Sequence, residues 1–367
     1  MTTHERFWSR RRVTVTGHTG FKGTWLCHWL YELGAEVTGI GLPPATEPSL
    51  FEATGLAHRI DSRIVDVRAR GRLAAALRDA DPEIVLHLAA QPLVTRSLQD
   101  PLATFQSNVM GVANLLDAAR CLPSLRAVVV VTSDKCYARP ERPCREGDPL
   151  GGHDPYSASK ACAEIVAEAY RACFYPPSAG IGLATARAGN VIGGGDFSPG
   201  RLLPDLMRSF AAGETAYLRH PAGVRPWQHV LDALSGYLLL AERLAADPAA
   251  HATAWNFGPD QDPSWTAARI AAVAAERFGG GGWRRAASDL APEVPTLLLC
   301  SERARHRLGW RPRLSTEEAV AWAVDGYRAL LRGRSTGWLI DQIRAYEAMA
   351  LPADHYLLHI EPRHAFA

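Results

Sequence analysis

Tyr156 and Lys160 stand four residues apart in Tyr156-Ser157-Ala158-Ser159-Lys160. On a helix that spacing puts both side chains on one face. An ammonium beside a phenol favours the phenolate, lowers its pKa and makes a general base of it. A second group lies upstream in Val131-Thr132-Ser133-Asp134-Lys135-Cys136-Tyr137, where a hydroxyl, an acid and an amine follow an apolar run. The composition draws attention to the same places. Of the 40 Lys+Arg residues only three are lysine, namely Lys22, Lys135 and Lys160, which leaves 37 arginines. Arginine does not give up its proton in a protein, whereas lysine can be tuned as an acid, a base or a compact charge. A chain that uses arginine nearly everywhere keeps lysine where arginine cannot serve.

The third lysine lies in Thr16-Gly17-His18-Thr19-Gly20-Phe21-Lys22-Gly23, between an apolar strand and an amphipathic helix. Gly17, Gly20 and Gly23 there, with Phe21 and Lys22 between them, read as a dinucleotide loop. It has a tight turn, close backbone approach to a pyrophosphate, and helix amides aimed at its charge. The second strand ends Gly39-Ile40-Gly41-Leu42-Pro43. It lacks both the carboxylate that usually grips an NAD ribose and an arginine for a 2′-phosphate. Asp66, after the third strand, is a candidate for the adenine amino group. Leu88, Ala89 and Ala90 end the fourth strand with residues that let a cofactor lie close. Beside such a cofactor, Lys160 has a further task in holding the nicotinamide ribose hydroxyls.

These residues need a scaffold, and the hydrophobic pattern supplies one. Strands are predicted over Val13–Thr16, Ala35–Ile40, Ile64–Val67, Ile84–Ala89, Ala127–Thr132 and Ile181–Arg187. Helices fall between them, including Pro101–Arg120 and Tyr156–Tyr170. Strands without polar alternation, separated by helices, imply a parallel sheet covered on both faces, a Rossmann-type doubly wound α/β fold. Glycines and prolines break up the chain after about residue 190, with helices at Leu231–Ala245 and Ala319–Leu330 and a loop at Gly279–Gly282. The expected domains are 1–190, binding the cofactor and carrying the catalytic residues; 191–350, a smaller substrate-binding lobe partly interleaved with the first; and 351–367, a tail.

A formal charge of +2 offers no field for nucleic acid, and no run of about 18 apolar residues suits a membrane span. Without an apolar leader the chain is expected in the cytoplasm. Seven cysteines, none in a Cys-x-x-Cys pair, read as reduced thiols, and no His/Cys cluster has metal-ligand spacing. Apolar faces on the helices around 101–120 and 156–173 suggest a homodimer across a two-fold axis.

The glycine loop, the strand-end Ser133 and Tyr156-x-x-x-Lys160 together resemble the extended short-chain dehydrogenases/reductases that act on nucleotide sugars, over about residues 10–335. Ser133-Asp134-Lys135 occupies the place where 4,6-dehydratases carry a hydroxyl, an acid and a third polar residue. The third is lysine in the CDP-glucose 4,6-dehydratases. Gly17–Gly23, Pro48-Ser49-Leu50-Phe51 and Gly151-Gly152-His153-Asp154-Pro155-Tyr156-Ser157 are similar to that subfamily too.

The resemblance implies NAD as cofactor and Tyr156 as the base at C4. It implies Asp134 as the acid for the C6 oxygen, with a raised pKa. Lys135 is then the C5 base, with a lowered one, or else only orients the sugar while Tyr156 acts twice. It implies Asn190 and Arg225 at the sugar diphosphate, Arg219 more weakly, and a structural late strand in Trp255-Asn256-Phe257-Gly258. The segment 138–146 lacks the tryptophan usual in the subfamily. An epimerase or reductase would share Tyr156 and Lys160 without needing Asp134 and Lys135. A non-catalytic NAD sensor would have no reason to keep Ser133, Tyr156 and Lys160 together.

Overall fold

The computed structural model describes residues 3–139, 141–260, 262–287, 295–333 and 336–349. The tail from Leu351, and Pro140 in the segment after Tyr137, lie outside the described residues. The strands are β1 (Arg12–Thr16), β2 (Glu36–Gly41), β3 (Asp61–Ile64), β4 (Ile84–His87), β5 (Ala127–Val131), β6 (Gly182–Ala188), β7 (Asn190–Ile192), β8 (Thr215–Leu218), β9 (Trp227–His229), β10 (Ala254–Phe257) and β11 (Gly282–Arg285). Seven of them form one sheet in the order β10-β6-β5-β4-β1-β2-β3, parallel throughout.

β5 shows why its sequence reads as an unbroken apolar run. Successive side chains of a strand point to opposite faces. Ala127, Val129 and Val131 join one core, with Trp25, Leu26 and Leu30 of helix Phe21–Glu32 and Leu234 and Leu238 of helix Val230–Ala246. Val128 and Val130 join the other, with Leu115 of helix Gly111–Ala119 and Ala163 and Ala167 of helix Pro155–Phe174. Both faces are buried, so both parities must be apolar. The predicted helix over 101–120 forms with a π-helical turn at Gln106–Met110.

The third strand lies three residues earlier than predicted. β3 is an edge strand paired only to β2, and its residues are exposed or half-buried, so it needs no apolar run. The apolar residues that suggested a strand, Val65 and Val67, lie beyond it and pack beside Val85 and Leu115. Gly282 was expected in a loop and instead opens β11, which pairs with β8. A second pair, β7 with β9, and a core of Leu203, Leu206, Phe210, Ile270, Val320 and Val324 build up the later part of the chain. Helix Val230–Ala246 and β10 return to the main sheet. Because that sheet is all parallel, the residues that follow β1, β4, β5 and β6 emerge on one edge, where doubly wound folds place their sites.

Candidate functional site

The glycine loop is built by backbone contact. Gly17 has φ +76, its N–H donates to the Ile40 carbonyl at 2.7 Å, and Gly20 N–H donates to Gly17 O at 3.1 Å. A Cβ on Gly17 would lie 2.8 Å from the Ala89 nitrogen, and one on Gly23 2.0 Å from Gly17 O. Leu88 and Ala89 close the loop from below, their N–H groups donating to Thr16 O and Thr16 Oγ1 at 3.1 and 3.2 Å; half-buried Ala90 follows. Helix Phe21–Glu32 starts at Gly20 with no side-chain cap and no acid in its first turn. Its amides and dipole are therefore directed at an anion. This cradle, closed to a Cβ at Gly17 and Gly23 and lined by helix amides, fits the pyrophosphate of a dinucleotide.

The bare end of β2 also finds a reason. The His18 ring lies over it, so a Cβ on Gly39 would come within 2.4 Å of the imidazole. His18 Nε2 meets Ser62 Oγ at 2.7 Å, and its ring stacks edge-on with Phe51 at 5.3 Å. Burial lowers its pKa to about 4, so it is neutral near pH 7. Leu50 and Phe51 are buried and serve as a hydrophobic plug. Asp66 is held by Arg68 at 2.7 Å, and that hydrogen bond keeps its carboxyl below the usual range.

The candidate catalytic turn follows β5. Ser133 Oγ accepts from Lys135 N–H at 3.2 Å, capping the short helical turn Asp134–Cys136, and donates to Asp134 Oδ1 at 2.9 Å. Asp134 is 2% exposed, and its Oδ2 has no hydrogen-bond partner. Burial raises its pKa, opposed by Lys135, Ser133 and Arg225, in the direction an acid catalyst needs. Lys135 is half-buried beside it. Helix Pro155–Phe174 is capped by Asp154, whose carboxylate accepts from Ser157 N–H at 2.9 Å, and it carries Tyr156 and Lys160 to the same edge.

One expectation is corrected here. The Tyr156 phenol is not lowered. Burial pushes it up to about 12, and a hydrogen bond with Ser133 and the charge of Arg201 draw it back only in part. Lys160 Nζ donates to the Val131 carbonyl at 3.4 Å, and burial lowers Lys160 to about 8 against the pull of Glu164. Desolvation of a buried phenol outweighs the charges around it.

Lys22 joins this group. Burial and the charges of Lys160 and Arg201 bring its pKa down to about 7, with Asp134 and Asp196 opposing, and its Nζ lies 5.9 Å from the Tyr237 ring centroid. The three lysines thus converge on one edge.

Of the substrate-side candidates, Arg225 is close enough to act on Asp134, while its Nη1 donates to Val224 O at 2.8 Å. It borders a small pocket with Trp227, Asp260 and Trp265. Asn190 opens β7 in register with Trp227. Arg219 is set apart, donating to Gly200 O at 2.9 Å. Sequence reading passed over Arg201, which pairs with Asp196 at 2.7 Å and faces Tyr156 and Lys22, and no local spacing marks it. It also passed over Glu164, although that residue repeats the four-residue step from Lys160.

The model of the NAD-dependent epimerase/dehydratase family matches residues 13–258. The chain is 44% identical to a CDP-glucose 4,6-dehydratase of Salmonella typhimurium, covering 90% of this chain and 94% of that one. It is 28% identical to a UDP-glucose 4-epimerase of Mycolicibacterium smegmatis over 86% and 98% of the two chains. Among solved structures it is similar to a double mutant of the dTDP-glucose 4,6-dehydratase of Streptomyces venezuelae with NAD bound. The TM-score is 0.75 and the identity 25%, with 89% of this chain and 98% of that one covered.

Proposed function

The chain belongs to the NAD-dependent epimerase/dehydratase family, and on that footing we propose that it dehydrates a nucleotide hexose, converting CDP-glucose to CDP-4-keto-6-deoxyglucose. The observation that carries this reading is Asp134, a buried carboxyl with a raised pKa and an unpartnered oxygen, near enough to Tyr156 for its charge to act on that phenol. An epimerase or reductase needs the tyrosine and lysine but no proton donor for a departing hydroxyl.

NAD, when bound, supplies the hydride acceptor for C4 and gives the same hydride to C6, ending unchanged. Gly17, Gly20, Phe21, Lys22 and Gly23 would hold its pyrophosphate end, Asp66 its adenine, Leu88, Ala89 and Ala90 its flank, and Lys160 its nicotinamide ribose. Tyr156 takes the C4 hydroxyl proton as its phenolate, the form that its hydrogen bond with Ser133 and the charge of Arg201 favour against burial, with Lys160 adding positive charge. The new 4-keto group acidifies the C5 proton, which goes to Lys135, or to Tyr156 after the phenol has released the C4 proton to solvent. Asp134 protonates the C6 hydroxyl, which leaves as water, and the base returns its proton to C5. Asn190, Arg225 and, more remotely, Arg219 face the diphosphate, where a bidentate arginine gives both energy and orientation.

The reading includes a homodimer in the cytoplasm. Leu98, Leu102, Met110, Ile165 and Phe174 are exposed on the helices around 94–119 and 155–174, an apolar surface suited to a second copy. No helix among the described residues is long and apolar enough to cross a membrane.

The test incubates the protein with NAD and, in parallel, CDP-, dTDP-, UDP- and GDP-glucose, and follows each by mass spectrometry. Loss of one water from the CDP sugar is expected. A C4-inverted sugar, stoichiometric release of reduced cofactor, or four unchanged sugars would sink the proposal.

A further inference from the structure

The turn that carries Ser133, Asp134 and Lys135 has two ends, and both are tied to a single buried ion pair that the reaction itself does not use. Glu164 and Arg187 have side chains 3% exposed and meet at 2.7 Å. On the upstream side, the Thr132 hydroxyl donates to Glu164 Oε1. On the downstream side, Arg187 Nη1 donates to the Tyr137 hydroxyl at 2.9 Å, and the guanidinium lies 5.0 Å from the Tyr137 ring centroid. Thr132 immediately precedes Ser133, and Tyr137 immediately follows Cys136.

The network continues into the sheet edge. The Tyr137 hydroxyl donates to Asn256 Oδ1 at 2.7 Å, and Asn256 Nδ2 donates to the carbonyls of Cys144 and Cys300 at 2.9 and 3.1 Å. Arg187 also donates to the Glu146 carbonyl at 3.1 Å, while Glu146 Oε1 accepts from Asn256 N–H at the same distance. Thr185 completes the Glu164 carboxylate at 2.7 Å. Burial alone would raise Glu164, but the hydrogen bond and charge of Arg187, with the two threonines, hold it below the ordinary carboxylate range. Arg187 Nε alone of the pair's polar atoms is buried without a partner, and a buried, hydrogen-bonded ion pair of this kind fixes geometry more than it adds stability.

We propose that the Glu164–Arg187 pair, acting through Thr132 and Tyr137, positions the Asp134–Lys135 turn for the elimination half of the reaction, and that Asn256 anchors the far end of this clamp. None of these residues touches the reacting atoms; they are positioning residues. The inference rests on the dehydratase reading above. It separates two halves of one cycle. Tyr156 is carried on helix Pro155–Phe174, which also carries Glu164 but whose first turn is held by the Asp154 cap and not by the clamp, so C4 oxidation needs the turn only for Ser133. Elimination needs Asp134 and Lys135 at their places over C5 and C6, where small misplacements are costly.

The test uses two variants that cut opposite ends of the clamp and leave the ion pair in place, Tyr137→Phe and Thr132→Val. Each is assayed with CDP-glucose by single-turnover reduced-cofactor absorbance, by steady-state keto-sugar formation and by thermal melting. In both, C4 oxidation is expected within about twofold of wild type, the worth of a few tenths of a kcal/mol. Keto-sugar formation is expected to fall roughly 10–30-fold, the loss of one buried hydrogen bond to a charged network, so reduced cofactor accumulates on the enzyme. KM is expected to hold while kcat falls. Wild-type product formation with no accumulation overturns the inference. So does an equal loss of both half-reactions with a lowered melting temperature, which is what a purely structural role gives. Failure of the wild-type control to dehydrate the sugar would instead overturn the reading on which the inference stands.

Discussion

The glycine loop and the catalytic turn stand at strand ends of the same sheet, yet they are held in opposite ways. Gly17, Gly20 and Gly23 are fixed by main chain on main chain within a few residues and by the ends of two neighbouring strands, β2 and β4. The turn of Ser133, Asp134 and Lys135 is flanked by Thr132 and Tyr137, which hydrogen-bond to side chains of Glu164, Arg187 and Asn256, the last of them 119 positions from Tyr137. The first arrangement tolerates almost no added atom but depends on little else. The second accepts change at its own surface and depends on partners spread over half the chain.

Four substitutions probe that contrast, in descending order of effect. Gly23→Ala pushes a methyl to 2.0 Å from Gly17 O. It is expected to cost more than about 3 kcal/mol, since a backbone atom cannot yield as a side chain does, and to abolish cofactor binding in calorimetry. Measurable binding would show that the loop is softer than its contacts imply. Asp134→Asn keeps the shape of the turn but removes its proton, so dehydration is expected to fall about 10²–10⁴-fold. The pH profile supplies the sign. A raised pKa keeps the acid protonated to higher pH, so wild-type elimination is lost as pH rises through it, and that limb is expected to vanish in the variant. A retained limb would exclude Asp134 as the donor.

Lys160→Arg keeps the charge, but the site is buried, with Nζ at 3.4 Å from Val131 O, and a guanidinium is larger. About a hundredfold loss of C4 oxidation is expected, read as single-turnover reduced-cofactor absorbance; near-wild-type rates would remove the need for lysine. Asp232→Asn lies outside both regions and serves as the reference. Asp232 is buried beneath the Tyr346 hydroxyl, and burial raises its pKa to about 7. Stability that depends on its neutral form is complete below the ordinary carboxylate pKa and is lost as pH rises through about 7. The asparagine variant is therefore expected to gain roughly 1–2 kcal/mol over wild type at pH of about 8.5 relative to about 5.5. Denaturant midpoints at the two pH values check this, and an equal difference at both would refute it.

What the sequence discloses follows the same division. The glycine loop, the helical step from Tyr156 to Lys160 and the apolar run of β5 are local patterns with a single physical meaning, and the structure keeps them. β3 was misplaced because an edge strand with exposed residues need not be apolar, while the apolar residues beside it serve a helix. The phenol of Tyr156 was expected to be lowered because the neighbour's charge is visible in the sequence and the depth of burial is not. Arg201 and Asn256 were not legible as site residues for a related reason. Their importance comes from what long-range pairing sets beside them. His18 was readable only after the fact, as the reason why β2 ends in glycines.

The clamp also has a consequence in time. Ser133 through Tyr137 leave the ribosome long before Asn256 and Cys300, whose hydrogen bond closes the network. At about 5–20 residues per second, the roughly 160 residues between them take on the order of ten seconds or more to synthesise. During that interval Arg187 and Glu164 can pair, and β5 and β6 can zip together, but the last anchor does not yet exist. The last anchor of the turn is thus among the late-made parts of the chain, as is the packing of Trp338 and Tyr346 against Trp25 and Trp29 of the helix behind the glycine loop.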